Sequence, residues 1–143
     1  MKCTTIIDKT REEEVIIYAK EQTEFVEKIE AFVKSNSLDL TGYLNDSIIK
    51  LNITEIYCFA IEGGKIFAYT SDKRLLIKRR LYEIENMLDK SFVKINQSCI
   101  VSVSKIERFS ASIAGSLLVV LKNGYKDYVS RRQLKFVKER LGI

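Results

Sequence analysis

Histidine and proline are both absent from the 143 residues of the chain. Without histidine, a Ser-His-Asp triad, a histidine general base and a histidine-ligated metal site are all excluded. Cys3, Cys58 and Cys99 lie far apart, which excludes a CxxC metal or redox site and argues against a disulfide framework. With no histidine to activate them, we interpret the cysteines as small buried apolar residues. The sequence therefore predicts a protein that is not an enzyme and needs no metal or cofactor.

Long apolar runs are also missing. The longest uninterrupted runs have about five residues, as at Leu117–Leu121, whereas a membrane-spanning helix needs about 20. The N-terminus lacks the apolar core of a signal peptide. Hydrophobic residues nevertheless make up 46% of the chain, enough for a folded core. We therefore expect a folded protein in a reducing cytoplasm.

The charge is divided unevenly along the chain. Residues 1–40 hold 6 Lys/Arg and 9 Asp/Glu, a net charge of −3, and residues 41–143 hold 18 and 10, a net charge of +8. This asymmetry predicts an N-terminal extension, 1–40, and a basic body, 41–143. A basic body attracts polyanions, of which nucleic acid is the commonest. Ordinary solubility charge is the alternative explanation.

The extension has its own periodicity. Residues 3–7 and 14–18 are short β-branched runs on either side of a charged turn, Asp8–Glu13, and we predict two strands there. Apolar residues then recur at helical spacing between Thr23 and Ser35. The extension is therefore predicted to be a small α+β unit. Its helix either covers a sheet or meets a partner, which makes the extension a candidate dimer or partner surface.

The body changes to a period of two residues, which is typical of strands. Residue pairs that favour tight turns interrupt it at Asn45-Asp46, Gly63-Gly64 and Asn123-Gly124. The predicted strands are Leu40–Leu44, Ile48–Leu51, Glu55–Ile61, Lys65–Thr70, Arg74–Ile77, Phe92–Ile95, Cys99–Val103, Ile106–Ala111, Leu117–Leu121 and Tyr125–Val129. Helices are predicted at Leu81–Leu88 and Arg131–Leu141, with Ser130 and Gln133 as a capping box for the second. The fold class is thus mainly β with short helices.

No two predicted helices of the body are joined by a tight turn, which argues against a helix-turn-helix. Nucleic acid would therefore be bound by loops and strand ends. Basic and polar residues do gather at element boundaries, in Lys65, Lys78-Arg79-Arg80, Lys94–Ser98 and Ser130–Gln133. Arg pairs with guanine, Asn and Gln pair with adenine, and Ser, Lys and helix-start amides hold phosphates. Solvated surface and turn chemistry remain the alternatives for each segment.

The stretch Ile53–Leu141 resembles the LytTR DNA-binding domain of bacterial transcription regulators. The matching features follow in family order: strands 56–62 and 65–70, the helix 81–88, the core signature Phe92–Ser102, the Asn123-Gly124 hairpin and the ending Val129–Arg132. The resemblance implies a LytTR-like fold that is almost wholly β, in which loops enter successive major grooves of DNA. It also implies the roles of particular residues.

Base contacts are implied for Gln97 and Arg132, and for Lys65 in the hairpin. Lys94, Asn96, Ser98 and Arg131 are implied to hold phosphates or to assist. From residue type and position, Lys78, Arg79, Arg80 and Ser130 join them as phosphate or supporting candidates. The family often has Arg, His and Asn where this chain has Lys94, Asn96 and Ser102, so its base preference does not carry over.

The resulting prediction is a cytoplasmic bacterial transcription regulator that binds double-stranded DNA sequence-specifically and takes no small-molecule substrate. The short acidic extension resembles that of small standalone LytTR regulators. That resemblance implies an inhibitory membrane protein encoded nearby. The opposite charge of the extension and its amphipathic helix predict a homodimer. The alternative is a regulatory module that binds a protein partner or small effector and never touches DNA.

Overall fold

The computed structural model describes residues 2–12, 14–37, 40–111 and 115–143, with the side chains of the first helix described as far as Val33. The helices are α1 (Glu24–Ser37), α2 (Leu81–Met87) and α3 (Arg131–Leu141). The strands are β1 (Leu40–Leu44), β2 (Ser47–Leu51), β3 (Cys58–Glu62), β4 (Lys65–Tyr69), β5 (Arg74–Ile77), β6 (Phe92–Asn96), β7 (Cys99–Ser102), β8 (Ile106–Ala111), β9 (Leu117–Leu121) and β10 (Lys126–Val129).

All strand pairs are antiparallel and form two sheets. The larger sheet has seven strands in the order β2-β1-β5-β4-β3-β7-β6, and the smaller has the order β10-β9-β8. Tight turns set the register of the hairpins: Asn45, Gly63 and Gly64 all adopt a positive φ, as two-residue turns between twisted strands require. The prediction of a mainly β fold with short helices is confirmed.

The larger sheet is buried on both faces near its centre. On one face, Phe59, Leu75 and Ile84 belong to a core that α2 covers. On the other face, Ile95 and Val137 belong to a second core, which includes residues of the smaller sheet and of α3. Alternation along β3 places Phe59 in the first core and its neighbours in the second, so this strand joins the two cores.

Two cysteines lie in the second core. Cys58 and Cys99 are fully buried on neighbouring strands, and their mutual hydrogen bond, together with burial, raises the pKa of the Cys58 thiol far above its usual range. Both are therefore inert packing residues, as predicted. The same prediction is wrong for Cys3, which is exposed because it lies in the N-terminal segment outside both cores.

The two strands predicted in the extension are wrong. Residues 3–7 and 14–18 belong to no sheet, because neither run meets a strand to which its backbone can pair. Glu13 of the predicted turn lies outside the described residues. The helix is confirmed as α1: Val26 is buried, while Phe25 and Phe32 stay 51% and 67% exposed. The division at residue 40 stays a prediction.

The start of α3 is where predicted, but its capping box is wrong. Ser130 makes no side-chain hydrogen bond to the helix, and the backbone amide of Gln133 donates instead to the Ser130 carbonyl at 3.0 Å. The order of elements separates α1, α2 and α3 by several strands, so the described residues contain no helix-turn-helix. No helix in the described ranges is long and apolar enough to span a membrane.

Gly42 provides a test of the packing between β1 and β5. A Cβ at this position would lie 2.8 Å from the Leu75 Cβ and 3.0 Å from the Leu51 Cδ1. We expect Gly42→Ala to lower the free energy of unfolding by about 1–3 kcal/mol, since an overpacked core must shift. Urea unfolding measures the change, with Ser47→Ala on exposed β2 as the control. A gain in stability, as ordinary glycine replacement in a strand gives, would contradict the packing.

Candidate nucleic-acid interface

Two turns of the larger sheet lie side by side. Strands β3 and β7 pair antiparallel with Ala60 opposite Cys99, and the Ile61 amide donates to the Ser98 carbonyl at 2.8 Å. The β3–β4 turn, Gly63-Gly64, therefore adjoins the β6–β7 loop, Asn96–Cys99. Lys65 leaves the first turn and Gln97 lies in the second.

Backbone and side-chain hydrogen bonds attach the start of α3 to the same place. The Ser130 amide donates to the Ile95 carbonyl at 2.9 Å, and Asn96 Nδ2 donates to the Tyr128 carbonyl at 2.8 Å. Asn96 Oδ1 in turn accepts from the Ser98 amide at 2.8 Å. One amide side chain thus holds the β6–β7 loop closed and ties it to the strand that leads into α3.

The link between β5 and α2 lies at this end of the sheet as well. Ile77 pairs with Ile66, so Lys78 follows the strand end that neighbours Lys65. An open cleft of about 640 Å³ is lined by Lys65, Lys78, Arg79, Arg80 and Glu83, among others. The Lys78 ammonium lies 4.2 Å from the centroid of the Tyr43 ring, a cation–π contact that restricts its direction.

These four segments form what we call the basic edge: residues 63–65, 78–80, 96–98 and 130–132. It carries exposed cations at Lys65, Lys78, Arg79, Arg80, Arg131 and Arg132. Its segments follow the strand order β5-β4-β3-β7-β6, and at about 4.8 Å per strand the edge is about 20 Å long. The structure therefore brings the three base-reading candidates together on one positively charged surface.

Lys65, Gln97 and Arg132 share a further property. All three are exposed, and their side chains make no hydrogen bond or ion pair within the part of the chain that the structure describes. Their donors and acceptors are therefore available to a ligand. The side chains of Arg79, Arg80 and Arg131 are in the same condition, whereas Lys78 already contacts Tyr43.

Lys94 and the smaller polar candidates are placed differently. Lys94 lies within β6, with 28% of its side chain exposed, and its Nζ is 3.4 Å from Glu85 Oε2 on α2. Asn96 uses both its polar atoms internally, and the described bonds of Ser98 and Ser130 are made by their backbones. These residues shape or border the basic edge more than they extend from it.

One feature of the edge was missed at the level of sequence. Glu62 pairs with Lys65 across the glycine turn, but its carboxylate turns away to accept from Arg74 at 2.6 Å and from the Tyr69 hydroxyl. Burial, followed by the bond to Glu62, raises the pKa of Tyr69 to about 12, so the phenol stays a neutral donor. An acidic side chain beside the basic edge is thereby neutralised. The 12-residue separation of Glu62 and Arg74 gave no local signal.

The described residues contain no group of three or more His, Cys, Asp or Glu side chains that would suit a metal ion.

Comparison with known proteins identifies the family. Residues 46–142 match the family described as the LytTr DNA-binding domain. The chain belongs to this family. It is a family of DNA-binding domains and not of enzymes, so the resemblance inferred from the core signature and the Ser130-Arg131-Arg132 ending is confirmed.

Relatives and a solved structure extend the match. A protein of Staphylococcus aureus (strain MSSA476), named an uncharacterized HTH-type transcriptional regulator, is 34% identical over 148 residues, covering 100% of this chain and 99% of its own. A second protein of Staphylococcus aureus (strain bovine RF122 / ET3-1), also named an uncharacterized HTH-type transcriptional regulator, is 33% identical over 148 residues. The solved LytTr DNA-binding domain of a putative methyl-accepting/DNA response regulator from Bacillus cereus superposes with a TM-score of 0.70 at 22% identity, covering 75% of this chain and 100% of that one.

The names of those relatives include the term HTH, for helix-turn-helix, but the described residues of this LytTr chain do not form that motif. The helices α1, α2 and α3 are separated along the chain by strands, so no tight turn joins two of them in the described ranges. The surface that gathers exposed cations is made of loops and of the first turn of α3. The exposed cations of the basic edge therefore lie on an edge of a sheet, and not on the recognition helix of a helix-turn-helix.

Asn96 provides a test of how the basic edge is held. We expect Asn96→Ala to cost about 1–2 kcal/mol of stability, because it removes one hydrogen bond within the β6–β7 loop and one between this loop and β10. Hydrogen exchange at the Ser98 and Ser130 amides should accelerate. The matched variant Asn96→Asp keeps the acceptor for the Ser98 amide and loses the donor to Tyr128, so Ser98 should remain protected. Unchanged exchange at Ser98 in the alanine variant would refute this role.

Proposed function

We propose that this LytTr protein is a sequence-specific bacterial regulator of transcription that reads double-stranded DNA with its basic edge. The observation that carries the proposal is the convergence of Lys65, Gln97 and Arg132, with unpaired side chains, on one edge of the larger sheet. The family match favours DNA over the alternative of a module that binds only a protein or an effector. A bacterial regulator of this kind works in the cytoplasm, where the chromosome lies.

The three side chains suit the base edges of the major groove. The Arg132 guanidinium has the fork geometry to donate two hydrogen bonds to guanine O6 and N7, and the Gln97 amide matches adenine N6 and N7. Lys65 donates to guanine with a single ammonium group. Each good bidentate contact discriminates between bases by about 1–3 kcal/mol. Arg132 and Gln97 are therefore the principal base readers, with Lys65 as the third.

Phosphates are held by the other members of the set. Lys78, Arg79, Arg80 and Arg131 supply positive charge along the edge. The backbone amides of Arg131 and Arg132, which receive no side-chain cap from Ser130, can also donate to a phosphate. Ser98 lies next to Gln97 in the β6–β7 loop, where it supports these contacts. Lys94 and Asn96 support these contacts from within the sheet, through Glu85 and Tyr128.

The size of the basic edge agrees with contacts beyond one groove. Its length of about 20 Å exceeds the width of a major groove, about 12 Å. The resemblance implies that loops enter successive major grooves. Because these recur about every 34–36 Å along the duplex, more than the length of the edge, the long side chains at its two ends or a bend in the DNA must supply the remaining reach. Net charge steers the encounter, since residues 41–143 carry +8.

The partners belong to the proposal too. A homodimer, with residues 1–40 as its contact surface, would present two basic edges to a DNA site with two halves. An inhibitory membrane protein encoded nearby is a prediction from the resemblance to small standalone regulators. Neither partner is needed for a single basic edge to bind DNA.

Arg132 tests base reading directly. Sites are first obtained by selecting bound sequences from random duplex DNA with the full chain. We expect Arg132→Ala to weaken binding to the selected site by about 1–3 kcal/mol and to relax the sequence at one position. The control is Lys73→Ala. Lys73 is an exposed cation in the turn between β4 and β5, and this turn lies at the end of β4 that is farthest from Lys65. Equal losses on selected and random DNA would reject base reading.

Arg79 tests the phosphate role. We expect Arg79→Gln to weaken binding to selected and random duplexes by a similar factor. It should also reduce the slope of log affinity against log salt by about 0.9, the value for one lost phosphate contact. Fluorescence anisotropy at several salt concentrations measures both effects. A wild-type slope combined with altered sequence preference would place Arg79 among the base readers.

A further inference from the structure

The N-terminal segment exposes apolar residues that take no part in the basic edge. Ile6, Ile7, Val15, Ile16 and Tyr18 are between 59% and 94% exposed, on a backbone that belongs to no sheet. Isolated exposed apolar residues are ordinary, but three of these five lie together within residues 14–18, and clusters of exposed apolar side chains mark interaction surfaces. Four of the five are β-branched and the fifth is aromatic, the residue types that fit a pleated sheet.

Strand β2 is the open edge of the larger sheet. The opposite edge, β6, is occupied: the Ile95 carbonyl accepts from Ser130 and the Phe92 carbonyl from Arg140. Along β2, none of the described residues other than those of β1 bonds to the backbone. Open edges are usually protected by bulges, prolines or several charges, but β2 has an exposed Ile48 and the single cation Lys50.

We infer that residues 14–18 of one chain add to β2 of a second copy as an antiparallel strand, exchanged reciprocally in a two-fold dimer. In the register that places Ile16 opposite Ile48, Glu14 lies opposite Lys50 and Val15 opposite Ile49. Ile48, the most exposed apolar residue of β2, is thereby covered by Ile16, which is itself 59% exposed, and an ion pair forms beside them. Reciprocal exchange uses the same surface twice and closes the assembly at two chains.

Charge decides the direction of the added strand. A parallel strand with Ile16 opposite Ile48 would place Glu14 opposite Asp46, and like charges directly opposite each other are destabilising. The antiparallel strand replaces that repulsion with the Glu14–Lys50 attraction. Glu14 now pairs with Arg11 at 3.1 Å, but both side chains are more than half exposed, so exchanging this partner costs little.

A second copy is the occupant that the chain itself supplies. In the single chain, β2 pairs only with β1 among the described residues, and residues 14–18 belong to no sheet, so the outer edge of β2 and residues 14–18 do not pair with each other. Opposite net charges, −3 for residues 1–40 and +8 for residues 41–143, favour the approach of one chain's extension to another chain's body. The inference rests on the homodimer of the proposed function and gives it a contact within residues 1–40, but it uses none of the basic edge.

Cysteine cross-linking between two different variants tests the contact. In a Cys3→Ser background, Ile16→Cys and Ile48→Cys are purified separately, mixed and oxidised with glutathione disulfide without DNA. We expect a cross-linked species of about 33 kDa, twice the 16.5 kDa chain, in the mixture and little in either variant alone. Ile17→Cys replaces Ile16→Cys in the matched control, because its side chain faces the other side of the added strand. Equal cross-linking with Ile17→Cys overturns the register.

Sedimentation of charge variants gives the second measurement. Glu14→Lys and Lys50→Glu should each weaken dimerisation by about two- to fivefold, and the double variant should restore it, as a cross-strand ion pair requires. A monomeric wild type overturns the inference, as does a dimer without cross-linking in the Ile16→Cys and Ile48→Cys mixture. Since both experiments omit DNA, their failure leaves the Arg132 and Arg79 tests intact, and failure of those tests leaves this one intact.

Discussion

The antiparallel pairing of β3 with β7 is the constraint on which the basic edge depends. These strands are about 40 residues apart in the chain, yet their register decides that the Gly63-Gly64 turn and the loop carrying Gln97 share one end of the sheet. Small buried residues, Cys58, Ala60 and Cys99, line the face of this pair that packs against the second core. A shift of the register by one residue would turn these side chains to the opposite face and separate the two turns.

Much of the fold was predictable because its signals are local. The turn residues Asn45 and Gly63-Gly64, which adopt a positive φ, predicted the positions of two hairpins. The alternation of apolar and polar residues predicted the ends of the strands to within three residues. The prediction of strands in the extension was wrong because strand pairing is not a local property. Residues 3–7 and 14–18 have the composition of strands, but a strand also needs a partner, and composition carries no information about one. The predicted capping box at Ser130 was wrong because the same sequence pattern also permits a helix that begins with backbone hydrogen bonds alone.

The sequence indicated some features of the basic edge, namely its projecting side chains, but not the hydrogen bonds that support them. Residue type and spacing singled out Lys65, Gln97 and Arg132 and the family that uses such positions. The supporting contacts were hidden because they join distant segments: Asn96 meets Tyr128 across 32 residues, and Glu62 meets Arg74 across 12. Sequence motifs therefore predicted which side chains face outward, while the bonds that orient them became visible only in the folded chain.

The separation between side chains that build the basic edge and side chains that project from it has an evolutionary consequence. Gln97 and Arg132 bond to nothing else in the described protein, so replacing them removes no internal hydrogen bond. Asn96 and Ile95, their neighbours, carry the bonds that keep the scaffold in shape. Under the proposed function, mutation of these two residues changes operator preference at little structural cost, so that regulators can diverge in their target genes while sharing a framework.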